Sequence, residues 1–260
     1  VDWSLINPLY SVSGFFVGAL VGATGVGGGS IMTPLLVLLF GIAPGTAVGT
    51  DLLYAALTKA SGALVHGWNG TIEWRVVRRL AAGSAPATVL TLLALNYLGA
   101  SPHGANGVIT TSLGVALLLT ATMLVFRKRL LSHLSVRMQG LSDGRRRLLT
   151  NLLGVFLGVL VSISSVGAGA IGVTILVLLY PDLRTAKIVG SDIAHAVPLT
   201  LIAGVGHWFL GSIDWNLLVS LLLGSLPGIM IGSQLAAYLP DRILRPLLAG
   251  TLAVVGAKLI

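Results

Sequence analysis

The chain has 260 residues, 55% of them hydrophobic and only 9% charged, with a net charge of +8 and no cysteine. A water-soluble domain carries about 25% charged residues, so this composition excludes one, and its mean hydropathy of +0.96 agrees. Thiolate chemistry is excluded with the missing cysteine, and recognition of nucleic acid lacks a soluble module to carry it.

No Asp, Glu, Lys or Arg occurs between Asp2 and Asp51, between Arg79 and Arg127, or between Arg147 and Asp182. Uncharged runs of this kind exceed the roughly 20 residues that cross a bilayer, so the expected surroundings are lipid. Residues 9–24 and 30–40 are predicted as two short apolar segments on either side of Gly22-Ala-Thr-Gly-Val-Gly-Gly-Gly-Ser30. Residues 9–23 lack a basic flank and a cleavage site, and read as a span, not a signal peptide. Five glycines in nine residues cannot propagate a helix, since each costs roughly 1 kcal/mol relative to Ala. Gly41-Ile-Ala-Pro-Gly45 is a turn, with Pro44 placed to open a helix. The third segment runs from about 46 to 66 and ends at His66-Gly-Trp-Asn-Gly70; the fourth covers about 74 to 98. Gly99-Ala-Ser-Pro-His103 precedes a fifth, at about 106 to 126. A basic stretch follows, with Arg127, Lys128, Arg129, Arg137, Arg145, Arg146 and Arg147, and it reads as a cytoplasmic loop under the positive-inside bias. Segments at about 148–165, 169–180, 185–207, 214–238 and 243–260 then repeat the series.

The repeat is legible residue by residue. At a shift of 140, Gly14, Gly18, Val26, Gly27, Gly29 and Ile31 meet Gly154, Gly158, Val166, Gly167, Gly169 and Ile171. An insertion near Lys187 moves the shift to 141, where Gly49, Asp51, His66, Gly70, Ile72 and Trp74 meet Gly190, Asp192, His207, Gly211, Ile213 and Trp215. Gly83, Ser84 and Pro86 meet Gly224, Ser225 and Pro227 at the same shift. The expectation is an all-α polytopic membrane protein with residues 1–126 as first repeat, 127–147 as basic loop and 148–260 as second repeat.

Each half holds about five hydrophobic segments, the first broken at its glycine stretch. If the broken segment crosses once, the halves run parallel; if it crosses twice, or dips and returns, they are inverted. Inversion puts every basic residue except Lys59 and Lys258 on the cytoplasmic face, whereas the parallel arrangement exiles Arg184, Lys187, Arg242 and Arg245. Positive charge therefore favours two inverted repeats.

Broken backbone survives in lipid only where protein buries it or a watery cavity lines it. Two breaks at matching places in two halves point to a binding site. Backbone N–H groups at Gly27, Gly28, Gly29 and Ser30 open one short helix, and those at Gly167 and Gly169 open its counterpart. Each helix start carries roughly half a positive charge and binds anions readily. Hydroxyls at Thr24, Ser30, Ser164 and Ser165 are candidate donors to an oxyanion; the other reading of the glycines is close helix packing. Lys59 stands in the middle of the third segment, with Thr200 in its place in the second half. A membrane-centre lysine costs about 2.5–3.5 kcal/mol, so it should meet either Asp51 or a bound anion. Asp51 and Asp192 read as proton-carrying carboxylates that couple transport, or as acids meeting helix dipoles, and His195 one turn on adds slightly to the first. His66 and His207 read as helix caps, and Trp74 and Trp215 as interface anchors. No metal or cofactor is expected.

The glycine motif Gly14-Phe-Phe-Val-Gly-Ala-Leu-Val-Gly-Ala-Thr-Gly-Val-Gly-Gly-Gly-Ser30, Ala47-Val-Gly-Thr-Asp51 and His66…Gly70-Thr-Ile-Glu-Trp74, each echoed in the second half, resemble the TauE/SafE family. These are sulfite and organosulfonate exporters, anion permeases of the bacterial inner membrane. The resemblance covers nearly the whole chain except 127–147. It implies a multi-pass secondary transporter of a small sulfur-containing anion, working by alternating access, and not an enzyme. Ala168 for Gly28 and Ala170 for Ser30 imply that the halves contribute unequally to the site. A passive anion channel and an intramembrane lipid-phosphate hydrolase are the alternatives, and the sequence leaves a homo-oligomer open. The hydrolase would need a nucleophile, a base and a cationic clamp on one face, and the few ionisable groups are scattered. A Gly-x-x-x-x-Gly-Lys motif is absent, which argues against ATP-driven pumping by this chain.

Overall fold

The computed structural model describes residues 6–24, 29–97, 106–138, 140–167, 169–235 and 257. Every regular element among them is helical. In order they are α1 (Pro8–Thr24), α2 (Gly29–Leu38), α3 (Pro44–Trp68), α4 (Trp74–Tyr97), α5 (Asn106–Met138), α6 (Asp143–Ser164), α7 (Ala170–Leu179), α8 (Thr185–Phe209) and α9 (Trp215–Leu235). Among the described residues five segments are long and apolar enough to cross a membrane: Trp74–Tyr97, Ile109–His133, Asp143–Ser164, Thr185–Phe209 and Trp215–Gly232. The segment expected at 243–260 lies outside the described residues, Ala257 excepted.

Local chemistry accounts for the ends. Pro44 stands at the first position of α3, as expected, where its missing N–H costs nothing. Ser142 caps α6, its side chain accepting from the Arg145 N–H at 3.4 Å. Ser165 ends α6 in the left-handed region at φ 58°, and Gly167 follows at φ +114°, a conformation glycine adopts without steric cost. One expectation is corrected. The basic stretch 127–147 is not a loop through most of its length: α5 runs on to Met138, and α6 already begins at Asp143. Arg, Lys and Leu are good helix formers, and neither Gly nor Pro interrupts the chain before Gly140. The charges end the apolar run but not the helix.

Packing pairs the halves reciprocally. Gly14 and Gly18 of α1 lie against the main chain of Leu221 and Ser225 on α9, and Gly154 and Gly158 of α6 lie against Leu80 and Ser84 on α4. The contacts match under the shifts of the repeat. Both pairs run parallel, and the glycines let backbones meet as small-residue interfaces do. Between them α3 and α8 run antiparallel, with Gly49 against His207, Leu53 against Gly204 and Gly62 against Ile193. Two further bonds repeat the relation: the Asp214 N–H donates to Thr50 Oγ1 at 3.0 Å, and the Glu73 N–H donates to Ser191 Oγ at 2.8 Å. The apolar core spreads along these contacts, with Leu52, Leu80, Leu157 and Leu176 fully buried.

Ion pairs gather at one end of the bundle. Arg79 meets Asp143 at 2.6 Å, Arg146 meets Asp182 at 3.0 Å, and Lys187 meets Glu73 at 3.7 Å. The starts of α4, α6 and α8 therefore share one face, with the exposed Trp74 beside them.

Candidate functional site

Polar side chains concentrate where α3 and α8 cross. Asp51 and Asp192 each sit in the third turn of their helix, at 0% and 1% exposure. Asp51 Oδ2 accepts from Thr33 Oγ1 of α2 and, at 2.9 Å, from Ser165 Oγ. Thr33 stands one turn into the short helix after the first glycine break, and Ser165 opens the second break. One carboxylate oxygen thus ties α2 to the turn that ends α6. Val166 and Ala170 share an apolar cluster with Ile31 and Val37 of α2, which closes the same contact from another side.

Asp192 stands in the corresponding place in the second half. Its Oδ1 lies against the Cα of Gly172 in the first turn of α7, where a Cβ would collide with it. Each acid therefore meets the opening turns of a neighbouring short helix, whose macrodipole favours negative charge. The halves differ in how the charge is satisfied. Val173 stands where Thr33 does, and Thr174 donates instead to the Ala170 carbonyl at 2.7 Å.

Lys59 is 5% exposed. Among the described residues its ammonium makes neither a hydrogen bond nor an ion pair within 4.0 Å. The expected alternative of a direct Lys59–Asp51 pair is absent. Two turns of helix separate the residues by about 12 Å along the axis, although the charge of Lys59 still acts on Asp51, Asp192 and His195. His195 is fully buried, with Nε2 2.8 Å from Ser84 Oγ on α4. Its counterpart across the repeat is the buried Tyr54, and that of Ser84 is Ser225, whose Oγ lies 3.1 Å from Thr58 Oγ1. Five buried polar atoms around this centre have no partner among the described residues: Ser30 Oγ, Asp51 Oδ1, Tyr54 Oη, Asp192 Oδ1 and His195 Nδ1. Buried polar groups are almost always paired. A cluster of open ones beside a lone ammonium has the make-up of a site for a polar solute.

The remaining sequence candidates divide. Gly29 and Ser30 open α2, and Gly169 caps α7. Gly27 and Gly28 lie outside the described residues, as does the side chain of Thr24. Ser164 donates to the Leu160 carbonyl at 2.6 Å and accepts from the Val166 N–H at 3.2 Å, which holds the turn closed. Ser165 serves Asp51. His66 Nδ1 stands 2.8 Å from Thr71 Oγ1 at the end of its own helix, whereas His207 is 1% exposed and its Nε2 meets the Ser162 carbonyl of α6 at 2.8 Å. Thr33, Tyr54, Ser84 and Ser225 were not among the candidates. Ser84 and Ser225 were visible in the repeat, and Thr33 carried no signal.

Apolar helices wrapped around a buried acid–base cluster, five of them among the described residues long enough to cross a bilayer, define a polytopic helical membrane protein. The chain belongs to the sulfite exporter TauE/SafE family, whose profile matches residues 10–259. It is 40% identical to the probable membrane transporter protein YjnA of Bacillus subtilis, over 95% of this chain and 97% of that one. It is 27% identical to YdhB of the same organism over the same shares. A probable membrane transporter protein of Methanocaldococcus jannaschii, MJ0441, is 26% identical over 78% of this chain and 73% of its own. No solved structure matches the chain. These likenesses make it a membrane transporter and point away from an enzyme.

Proposed function

We propose that the protein is a secondary transporter, an exporter, of a small sulfur-containing anion such as sulfite or an organosulfonate, acting in the inner membrane by alternating access. The observation that carries this is the buried ammonium of Lys59, which has no partner among the described residues, on the same helix as Asp51, the acid that joins α2 to Ser165. An anion there would meet a full positive charge, with open donors at Ser30 and the α2 start close to Asp51. The family name supplies the sulfur oxyanion, and the chemistry of the cluster supplies the sign of the ligand.

Two inverted repeats form the frame in this reading. Support comes from the antiparallel run of the equivalent helices α3 and α8, which a parallel duplication would orient alike. Support comes also from the ion pairs that join Arg146 to Asp182 and Lys187 to Glu73 at one face. A single cysteine at Ser142 or Asp182 is expected to be shielded from an impermeant thiol reagent applied outside, and one at Ser101 or Gly211 to react. Labelling of Ser142 and Asp182 from opposite sides would overturn the inverted frame.

The charge count supports proton coupling. One base faces two acids, so a bound anion adds to an existing negative excess unless a carboxyl is neutral. At an effective dielectric constant of 20, two like charges about 6 Å apart repel by roughly 3 kcal/mol. Anion binding should therefore take up a proton. Titration of purified protein with sulfite, sulfate, thiosulfate, a sulfonate and a carboxylate should show selective binding of a sulfur anion that tightens from pH 8 to pH 6, with saturable counterflow in proteoliposomes. Lack of selectivity, or flux that never saturates, would favour a channel.

A further inference from the structure

A basic cavity stands on the surface of the bundle, between the starts of α4 and α6. The parallel run of these helices brings two helix N-termini side by side, each with the positive end of its macrodipole. Arg75, Arg78, Arg79 and Arg147 line a cavity there of about 370 Å³, with Ala82 and Asn151 as its floor. Arg79 is committed, to Asp143 at 2.6 Å and to Tyr180 Oη at 3.2 Å. Arg75 touches the same acid only at 4.0 Å. Arg78 and Arg147 form no ion pair among the described residues. Four guanidinium groups therefore line one open cavity, and among the described residues Asp143 is the one carboxylate within 4.0 Å of any of them, engaging Arg79 and Arg75 alone.

The cavity does not belong to the buried centre. With 3.6 residues per turn, Arg75 and Ala82 fall on the side of α4 opposite Ser84, the residue that meets His195. Deeper along the same outward side, Val89 and Leu90 of α4 and Val155 and Val159 of α6 are exposed. A strip of apolar surface thus runs from the arginine cradle into the bilayer.

We propose that this cavity binds the phosphate of an anionic phospholipid headgroup, with the acyl chains lying along the strip between α4 and α6. A guanidinium group holds a phosphate through two parallel hydrogen bonds, and basic pockets between membrane helices on the cytoplasmic side suit such headgroups. A freely diffusing anion would use the arginines but not the apolar strip below them. The assignment of this face to the cytoplasm rests on the inverted frame proposed above; the lipid site itself does not.

The test uses purified protein in detergent with three probes: phosphatidylglycerol, phosphatidylcholine and inorganic phosphate. Native mass spectrometry and thermal unfolding read the outcome. Phosphatidylglycerol should bind at least roughly tenfold more tightly than phosphatidylcholine, and Arg78→Gln with Arg147→Gln should remove that preference. Both side chains are exposed, so the double variant should fold; Arg75→Gln, which should halve the preference or better, serves as a second variant. Equal binding of the two lipids, or a preference that survives both variants, would overturn the proposal. Inorganic phosphate matching the full thermal shift of phosphatidylglycerol would overturn it too, leaving a small-anion site without lipid. Neither outcome touches Lys59 or the transport reading.

Discussion

Lys59→Met should fold, insert and bind its anion roughly ten- to a hundredfold more weakly than the parent chain. Methionine keeps the length and the apolar stem and removes only the charge. If the ammonium holds the anion, the loss equals a charge-assisted hydrogen bond, about 1.5–3 kcal/mol. Its isolation from every described partner motivates the prediction, because a lysine kept for structure would be expected in a tight pair. The competing outcome is distinct. If Lys59 only balances Asp51 and Asp192, removing it leaves two buried carboxylates with no base, a change that costs about 3–5 kcal/mol for a broken buried pair. The variant would then be recovered poorly, and Asp51→Asn on top of it would restore folding. Binding titration on the folded variant separates the two. Unchanged affinity in well-folded Lys59→Met would remove the lysine from the site.

Gly154→Val should destabilise the bundle by about 1–3 kcal/mol or more, the usual cost of overpacking. A Cβ at residue 154 would fall on the main-chain carbonyl of Leu80, and backbone cannot swing aside as a side chain can. To admit it α4 and α6 must part, which also shifts Ser84 from His195. Gly14→Val should behave alike, because its Cβ would meet the carbonyl of Leu221. Gly144→Val is the control: nothing lies within 4 Å of a Cβ there, and an exposed change of this kind stays within about 0.5 kcal/mol. Thermal unfolding in detergent is the measurement. If all three variants melt together, the helices are not in the contact described.

Asp51 illustrates how far a sequence reading reaches. As an acid in an uncharged run it was conspicuous, and the repeat paired it with Asp192. Its partners were not visible, because Thr33 and Ser165 look like any membrane hydroxyls. Most such hydroxyls bond to their own helix: Thr120, Ser162 and Thr200 all donate to the carbonyl four residues back. That local bond is open to any helical Ser or Thr, so composition cannot tell a self-satisfied hydroxyl from one that reaches a carboxylate. Ser165, read as a donor to the anion, proved to be a donor to Asp51. The basic stretch shows a different limit. Charge reports where lipid ends, whereas helix propensity carried α5 on to Met138.

Composition and glycine placement determined by themselves that this chain lives in lipid and repeats itself, and that the chain leaves the helix after Ser164, since each of these follows from local costs of charge and backbone freedom. The repeat also singled out Asp51, Asp192, Ser84 and Ser225 as equivalent pairs. Only the tertiary structure decided that each half lends its opening helix to the other half's fourth, that one oxygen of Asp51 joins Thr33 of α2 to Ser165, and that Lys59 has no partner among the described residues. Those facts depend on distances between residues on different helices, many of them far apart in the chain, and such distances are set by which surfaces pack, a property of the whole bundle that no local pattern encodes.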